Sequence, residues 1–205
     1  MDGTVSYRRS NLREALLDRA MVVLGDRGAG ALSLRELARD VGVSHTAPAR
    51  HFADRQQLLE ALAVEGFRLL AVQVGEAVAS TGEVPVQARL VAQAYVAFAI
   101  EKANLVDVMF RHEAGRRSDV VGRSAAQALE PLLHLFQQAE RDGLVRGGGA
   151  ATAATLFLAA LQGTAALVNC GVVSPAAVPE LIDDAVPRFL GLTGVAGQEP
   201  REVRS

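Results

Sequence analysis

The stretch from Leu32 to Phe52, LSLRELARDVGVSHTAPARHF, constrains the fold of this chain more than any other. Ser33, followed three residues later by Glu36, is a capping box and predicts the start of a helix. Gly42 follows the last apolar position of that helix, where a C-terminal cap is expected. The apolar face predicted for the helix comprises Leu34, Leu37, Ala38 and Val41. A second short helix follows, so the segment predicts a helix-turn-helix.

The second helix of this motif is predicted from His45 to Phe52, with Ser44 as its N-cap. It has almost no large apolar residue except Phe52, which is typical of a helix that lies in the major groove of DNA rather than in a core. Its first turn, with His45 and Thr46, is expected to contact base edges. Arg50 and His51, later in the helix, are expected to contact phosphates. An ordinary pair of packed helices is the alternative at this point.

Residues 13–62 resemble the N-terminal DNA-binding domain of the TetR-type (tetracycline-repressor-like) transcriptional regulators. The matching residues are Leu32-Ser33-Leu34-Arg35-Glu36-Leu37-Ala38, Gly42-Val43-Ser44, Arg50-His51-Phe52, and Asp54-Arg55 with Leu58-Leu59. Two positions depart from the family pattern: Ala49 stands where an aromatic residue is usual, and Pro48 lies inside the expected helix. The interpretation as a DNA-binding motif assigns DNA contacts to Ser33, Arg35, Ser44, His45, Thr46, Arg50, His51 and Arg55.

Composition favours an all-helical protein with a sizeable core, because half of the 205 residues are hydrophobic and no strand pattern occurs. We expect a flexible arm at 1–10, a three-helix DNA-binding domain at 11–57, a helical effector-binding and dimerisation domain at 58–193, and a disordered tail at 194–205. The net charge of −2 divides into +1 for residues 1–60 and −3 for the remainder. Phosphate contacts are local, so a basic face suffices for DNA binding. That face is expected from Arg8, Arg9, Arg13, Arg35, Arg50 and Arg55, whereas Arg19, Arg27 and Arg39 are expected to pair with acids.

A long helix is predicted from about Arg55 to Ala79, capped by Asp54, and it connects the two domains. The helices expected after it are Val86–Glu101, Asn104 to about His112, Ser118–Arg141 with a kink at Pro131, Ala151–Asn169 and Pro175–Leu190. The helix 151–169 is apolar nearly all round and is expected to be buried on both sides. Residues 95–113 resemble an effector-domain subgroup of the same family, which implies a ligand-binding and dimerisation domain.

An apolar effector cavity with a few polar groups is expected among the helices between residues 60 and 170. The candidate lining residues are Tyr95, Phe98, Met109, Phe110, Phe136, Phe157 and Gln162. For each of them, plain core packing is the alternative. The last two helices are the candidate dimer interface, since a single helix-turn-helix contacts too few base pairs for useful specificity. Their alternative role is internal core.

Catalytic, metal and cofactor sites are not predicted, because no nucleophile elbow, P-loop, dinucleotide fingerprint or Glu-x-x-His pair occurs. The single cysteine, Cys170, is expected to be inert. No signal peptide and no apolar run long enough to span a membrane are expected, which favours a cytoplasmic protein. The hypothesis is that the chain is a homodimeric transcriptional regulator that acts as a repressor. Its expected partners are an operator in double-stranded DNA and a small-molecule effector. The alternatives are an activator, a ligand-independent regulator, and an all-α carrier or enzyme that does not bind DNA.

Overall fold

The protein is built from α-helices, and the described part of the chain contains no strand. The computed structural model describes residues 3–79, 82–110, 118–145 and 148–192. The helices are α1 (Gly3–Arg27), α2 (Leu34–Asp40), α3 (Arg55–Ala79), α4 (Val84–Glu101), α5 (Ala103–Phe110), α6 (Asp119–Arg141), α7 (Gly149–Asn169) and α8 (Val178–Phe189). The all-α prediction is confirmed. The predictions for His112, for the polar stretch 113–117 and for the tail 194–205 lie outside the described residues.

The sequence pattern predicts a first helix from Leu12 to about Asp26, ended by Gly28. Helix α1 of the structure is longer and begins at Gly3. Its end is as predicted: Gly28 has a positive φ of 76°, and its N–H donates to the Leu24 carbonyl at 2.9 Å. A single turn of 3₁₀-helix, Ala29–Ala31, then leads toward α2.

Helix α3 has the bounds that the sequence predicts and physically joins the two domains. The Asp54 carboxylate accepts a hydrogen bond from the Gln57 N–H at 2.9 Å, and the Gln57 side chain accepts one from the Ala53 N–H at 2.9 Å. These two reciprocal bonds satisfy donors that a helix start otherwise leaves open. At about 1.5 Å per residue the helix is roughly 37 Å long. It packs against α4, α5 and α6, and the N-terminal domain lies at its first turn.

In the second domain, α4 lies among α3, α6, α7 and α8. Its centre is aromatic: the ring of Phe157 lies 5.3 Å from that of Phe136 and 5.3 Å from that of Phe189. An ion pair between Arg89 and Asp183 joins α4 to α8 at the surface. One continuous apolar core runs from Leu16 in α1 to Leu190 after α8, so the two domains share a core.

Helix α7 is not buried all round within one chain, contrary to the prediction from its sequence. Phe157, Leu161 and Ala165 pack inward against α4 and α6, whereas Leu156 and Leu167 are 56% and 44% exposed. By length and composition, α7 is long and apolar enough to cross a membrane, although no run of that length was expected. Its mean hydropathy is 1.6, and 28% of its most apolar window is buried in the protein. The core helix of a soluble protein passes the same test.

Candidate nucleic-acid interface and effector domain

Helix α2 ends as its sequence predicts. Gly42 has a φ of 74°, the Val43 N–H donates to the Ala38 carbonyl at 2.9 Å, and the Gly42 N–H donates to the Arg39 carbonyl at 3.1 Å. This pair of bonds is a Schellman motif, which requires the left-handed conformation that glycine adopts readily. At the other end, Ser33 is the N-cap in extended conformation, but within the described chain its hydroxyl makes no cap hydrogen bond.

The predicted second helix of the motif is not an α-helix. Only Pro48–Arg50 form a 3₁₀ turn, preceded by a turn in which the Ala47 N–H donates to the Ser44 carbonyl at 3.0 Å. Pro48 gives the physical reason. In an α-helix capped by Ser44, the N–H of residue 48 bonds to the Ser44 carbonyl; proline lacks that N–H, and its ring crowds that carbonyl. We call residues 44–51 the reading turn.

The reading turn directs its polar side chains outward. Pro48 inside it and Phe52 directly after it are buried and anchor the segment to the core. The hydroxyl oxygens of Ser44 and Thr46 lie 3.2 Å apart and share a hydrogen bond. Of the predicted DNA-contacting residues in this region, Ser33 and His51 are half-buried, and the exposed ones are Arg35, Ser44, His45, Thr46 and Arg50. The polar surface needed for groove contact is therefore present without an α-helix.

Arg55 has a contact inside the protein in addition to its predicted role at a phosphate. Its Nη2 donates to the Ala29 carbonyl at 2.7 Å, which ties the start of α3 to the turn after α1. The expected pairing of other arginines with acids is confirmed for two of them: Arg19 lies 2.9 Å and Arg39 3.8 Å from the Asp40 carboxylate.

Arg13 makes a contact that the sequence did not indicate. Its guanidinium carbon lies 5.4 Å from the centre of the Phe52 ring, in a cation–π arrangement. The side chain is exposed and stands beside the end of the reading turn. No local sequence signal reports this pair, because the two residues are far apart in the chain and meet only through packing of α1 on the motif.

Most of the predicted effector-lining residues lie in the packed core. Phe98, Met109, Phe136 and Phe157 are each 1% exposed or less, and Tyr95 is 2% exposed. Phe110 is half-buried, with its ring 5.5 Å from that of Phe67. Gln162 differs, because it lines an open crevice between α4, α5 and α7. Their predicted role as ligand contacts stays a prediction.

Tyr95, which is buried, and Gln162, which is half-buried, form a hydrogen-bonded pair. The Tyr95 hydroxyl donates to the Gln162 Oε1 at 2.7 Å across α4 and α7. Burial raises the pKa of the Tyr95 phenol well above its usual value, so it remains a hydrogen-bond donor. Among the described residues, no three His, Cys, Asp or Glu side chains come together as a metal site.

The family assignment rests on the motif. Residues 16–62 match the sequence model of the family described as bacterial regulatory proteins, tetR family. The chain belongs to the tetR family. Members of this family are in general DNA-binding regulators of transcription rather than enzymes, and DNA-binding transcription regulation is the broad function of this chain. No curated protein matches the chain significantly.

Solved structures share the whole fold. A protein of unknown function from a Rhodococcus species is 34% identical with a TM-score of 0.80, covering 88% of this chain and 94% of that one. The TetR family transcriptional regulator PfmR from Thermus thermophilus is 17% identical with a TM-score of 0.64, covering 86% and 97%. AibR, solved in complex with isovaleryl coenzyme A and operator DNA, is 20% identical with a TM-score of 0.63, covering 87% and 98%. The two more distant structures show likeness of fold alone.

Proposed function

We propose that the protein is a homodimeric repressor that binds a near-palindromic operator and is released by a small molecule. One observation supports this proposal most directly. The continuous helix α3 connects the outward-facing reading turn to the effector domain. A DNA-binding regulator of this kind works in the cytoplasm. The complex of AibR with an acyl coenzyme A and operator DNA supports the same combination of activities in a protein of this fold.

The reading turn supplies two classes of DNA contact. His45 and Thr46, at its exposed start, are placed to read base edges, and Arg50 is placed to meet a phosphate. Because the turn is shorter than a recognition helix, we expect fewer base pairs to be read per half-site. Two copies in a dimer then supply the specificity that one turn lacks, with half-sites about 34–36 Å apart or a multiple of that spacing.

Selection from a random duplex library at about 150 mM salt tests the DNA binding. A palindrome should be enriched, and an Arg50→Ala variant should weaken binding to all sequences and lower the salt slope by about 1. Thr46→Ala should instead change the preferred bases. Arg123→Ala is the matched control, because Arg123 is exposed on α6 and its loss removes the same charge. Unchanged operator affinity in both reading-turn variants would exclude the assigned surface.

The dimer is inferred from the uncovered apolar face of α7 and α8. Leu156, Leu167 and Leu181 are 56%, 44% and 42% exposed in one chain. Three small exposed residues of α7 lie between Leu156 and Leu167, namely Ala159, Gly163 and Ala166, and they permit close approach of a second helix. A second copy of the chain, related by a two-fold axis, presents the same face and buries both.

Sedimentation of a Leu156→Asp variant tests this interface. Burying an unpaired carboxylate at the two-fold contact is strongly unfavourable, so the variant should sediment as a monomer at micromolar concentration. Val120→Asp is the control, since Val120 is 53% exposed on α6, away from the α7–α8 face. A dimeric Leu156→Asp protein would place the interface elsewhere.

Release by a ligand requires that the ligand bind one arrangement of the two DNA-binding domains better than the other. The shared core between α3 and the effector helices gives a route for such a difference, because α3 contacts α4, α5 and α6 along its length. A molecule that shifts these helices changes the spacing of the two reading turns, and hence their fit to successive major grooves.

A further inference from the structure

A crevice of about 410 Å³ lies between α4, α5 and α7. Alanines form much of its lining, and its polar lining residues include Asn104 and Asp107 on α5 and Gln162 and Asn169 on α7. The volume falls within the range of small-molecule sites in proteins. Mostly apolar walls with a few polar groups are also typical of such sites.

The polar groups of the crevice indicate the chemistry of an occupant. The Gln162 Oε1 accepts a hydrogen bond from the Tyr95 hydroxyl, so the N–H donors of the same carboxamide are left for another partner. Asn169 uses its Nδ2 on the Ala99 carbonyl at 3.1 Å, which fixes the orientation of its carboxamide. The N–H donors of Gln162 therefore suit a molecule with an apolar body and a carbonyl acceptor.

Asn104 connects this crevice to the DNA-binding domain. Asn104 lines the crevice and also a second cavity, of about 310 Å³, between α1 and α5. Its Nδ2 donates to the Gly25 carbonyl in the last turns of α1 at 3.1 Å. A Cβ built on Gly28 would lie 3.7 Å from the Asn104 Oδ1, so the carboxamide rests against the end of α1.

We propose that the crevice is the effector site and that its occupancy reaches the DNA-binding domain through Asn104. A carbonyl compound in the crevice contacts the Asn104 carboxamide and draws it from the Gly25 carbonyl. The end of α1 then loses its hydrogen bond to α5, and the DNA-binding domain shifts relative to the effector domain. Asn104 is a positioning residue in this scheme, and the scheme rests on the proposed ligand-responsive function.

Cys170 provides a probe that needs no knowledge of the natural ligand. It is the only cysteine in the chain, it is exposed, and it lines the crevice. Its thiol adds across the double bond of N-ethylmaleimide without a leaving group, which places an uncharged dicarbonyl ring in the crevice. Modification should weaken affinity for the selected operator about fivefold, the low end of typical coupling between sites.

Two matched variants test the role of Asn104. Asn104→Asp keeps the shape but removes the donor to the Gly25 carbonyl, so modification of Cys170 should then change operator affinity less than twofold. Gln93→Glu makes the same amide-to-carboxylate change at an exposed position of α4 and should respond as the parent does. An Asn104→Asp protein that still shows the full fivefold change would overturn the coupling.

The position of the adduct is controlled by moving the thiol. In a Cys170→Ala, Val172→Cys protein the same reagent modifies a residue that is 71% exposed, two positions away and outside the crevice lining. Operator affinity should then stay within twofold of the unmodified value. An equal loss there, or a modified parent that sediments as a monomer, would overturn the proposal. Failure of the unmodified parent to select any operator would instead overturn the proposed function, and this inference with it.

Discussion

Gly66 lies where α3 passes closest to α5, and an added methyl group there tests how tightly these helices are packed. A Cβ at this position would stand 2.6 Å from the Met109 Sδ, 2.8 Å from the Met109 Cγ and 3.1 Å from the Leu105 Cγ. Both Met109 distances are shorter than real Cβ contacts, and the Leu105 distance is tight. Met109 is only 1% exposed, so it has little room to move. Gly66→Ala should therefore force α3 and α5 apart.

The magnitude follows from two opposing terms. Replacing glycine by alanine inside a helix stabilises it by about 0.8–1 kcal/mol. Overpacking a filled core costs about 1–3 kcal/mol. Gly75→Ala, on the same helix, isolates the first term, because a Cβ there meets nothing within 4 Å. Gly66→Ala should thus be about 1–3 kcal/mol less stable than Gly75→Ala.

Urea unfolding, monitored by circular dichroism, measures the difference in stability between the two glycine variants. Both are measured at one protein concentration, because the stability of a dimer depends on concentration. A double-mutant cycle adds a second check: Met109→Ala should cost at least about 1 kcal/mol less in the Gly66→Ala protein than in the parent, because it removes the colliding atoms. Equal stability of the two glycine variants, together with additive effects of Gly66→Ala and Met109→Ala, would refute the packing argument.

Two further predictions concern single contacts. Arg55→Ala should lower the free energy of unfolding by about 1 kcal/mol, through loss of the bond to the Ala29 carbonyl, and so lower the melting temperature by about 2–4 °C. Arg50→Ala, which breaks no described bond inside the protein, should leave that temperature unchanged. The raised pKa of Tyr95 predicts that the folded protein keeps this phenol protonated above about pH 10, near which an unfolded tyrosine ionises. The associated stability is complete below about pH 10 and is lost as the pH rises further, because the unfolded chain alone releases the proton. Absorbance at about 295 nm of a Tyr7→Phe protein, in which Tyr95 is the only tyrosine, checks this; a native phenolate signal with a midpoint near pH 10 would contradict it.

Local signals were sufficient for the helix ends where the residues concerned lie within a few positions of one another. The cap by Asp54 and the span of α3 to Ala79 are as the sequence indicates, and so is the left-handed Gly42 after α2. These capping bonds and positive φ values depend on neighbouring residues. The Ser33 signal is as local, and α2 does begin after Ser33, but the predicted cap bond of its hydroxyl is not formed. Pro48 is also a local signal, and it explains why the predicted helix from His45 to Phe52 is wrong. A proline four residues after the cap removes the first bond of the helix, and a 3₁₀ turn results.

The sequence by itself determined that the chain is helical, that its N-terminal part carries a DNA-binding motif and that one long helix leads from it into a second domain. The tertiary structure alone decided which residues meet across the chain: Arg13 with Phe52, Arg55 with the Ala29 carbonyl, and Asn104 with the Gly25 carbonyl. It also decided that most predicted effector contacts are core residues and that one face of α7 is uncovered in a single chain. Periodicity marks a side chain as apolar but not what covers it, because that depends on how distant helices pack.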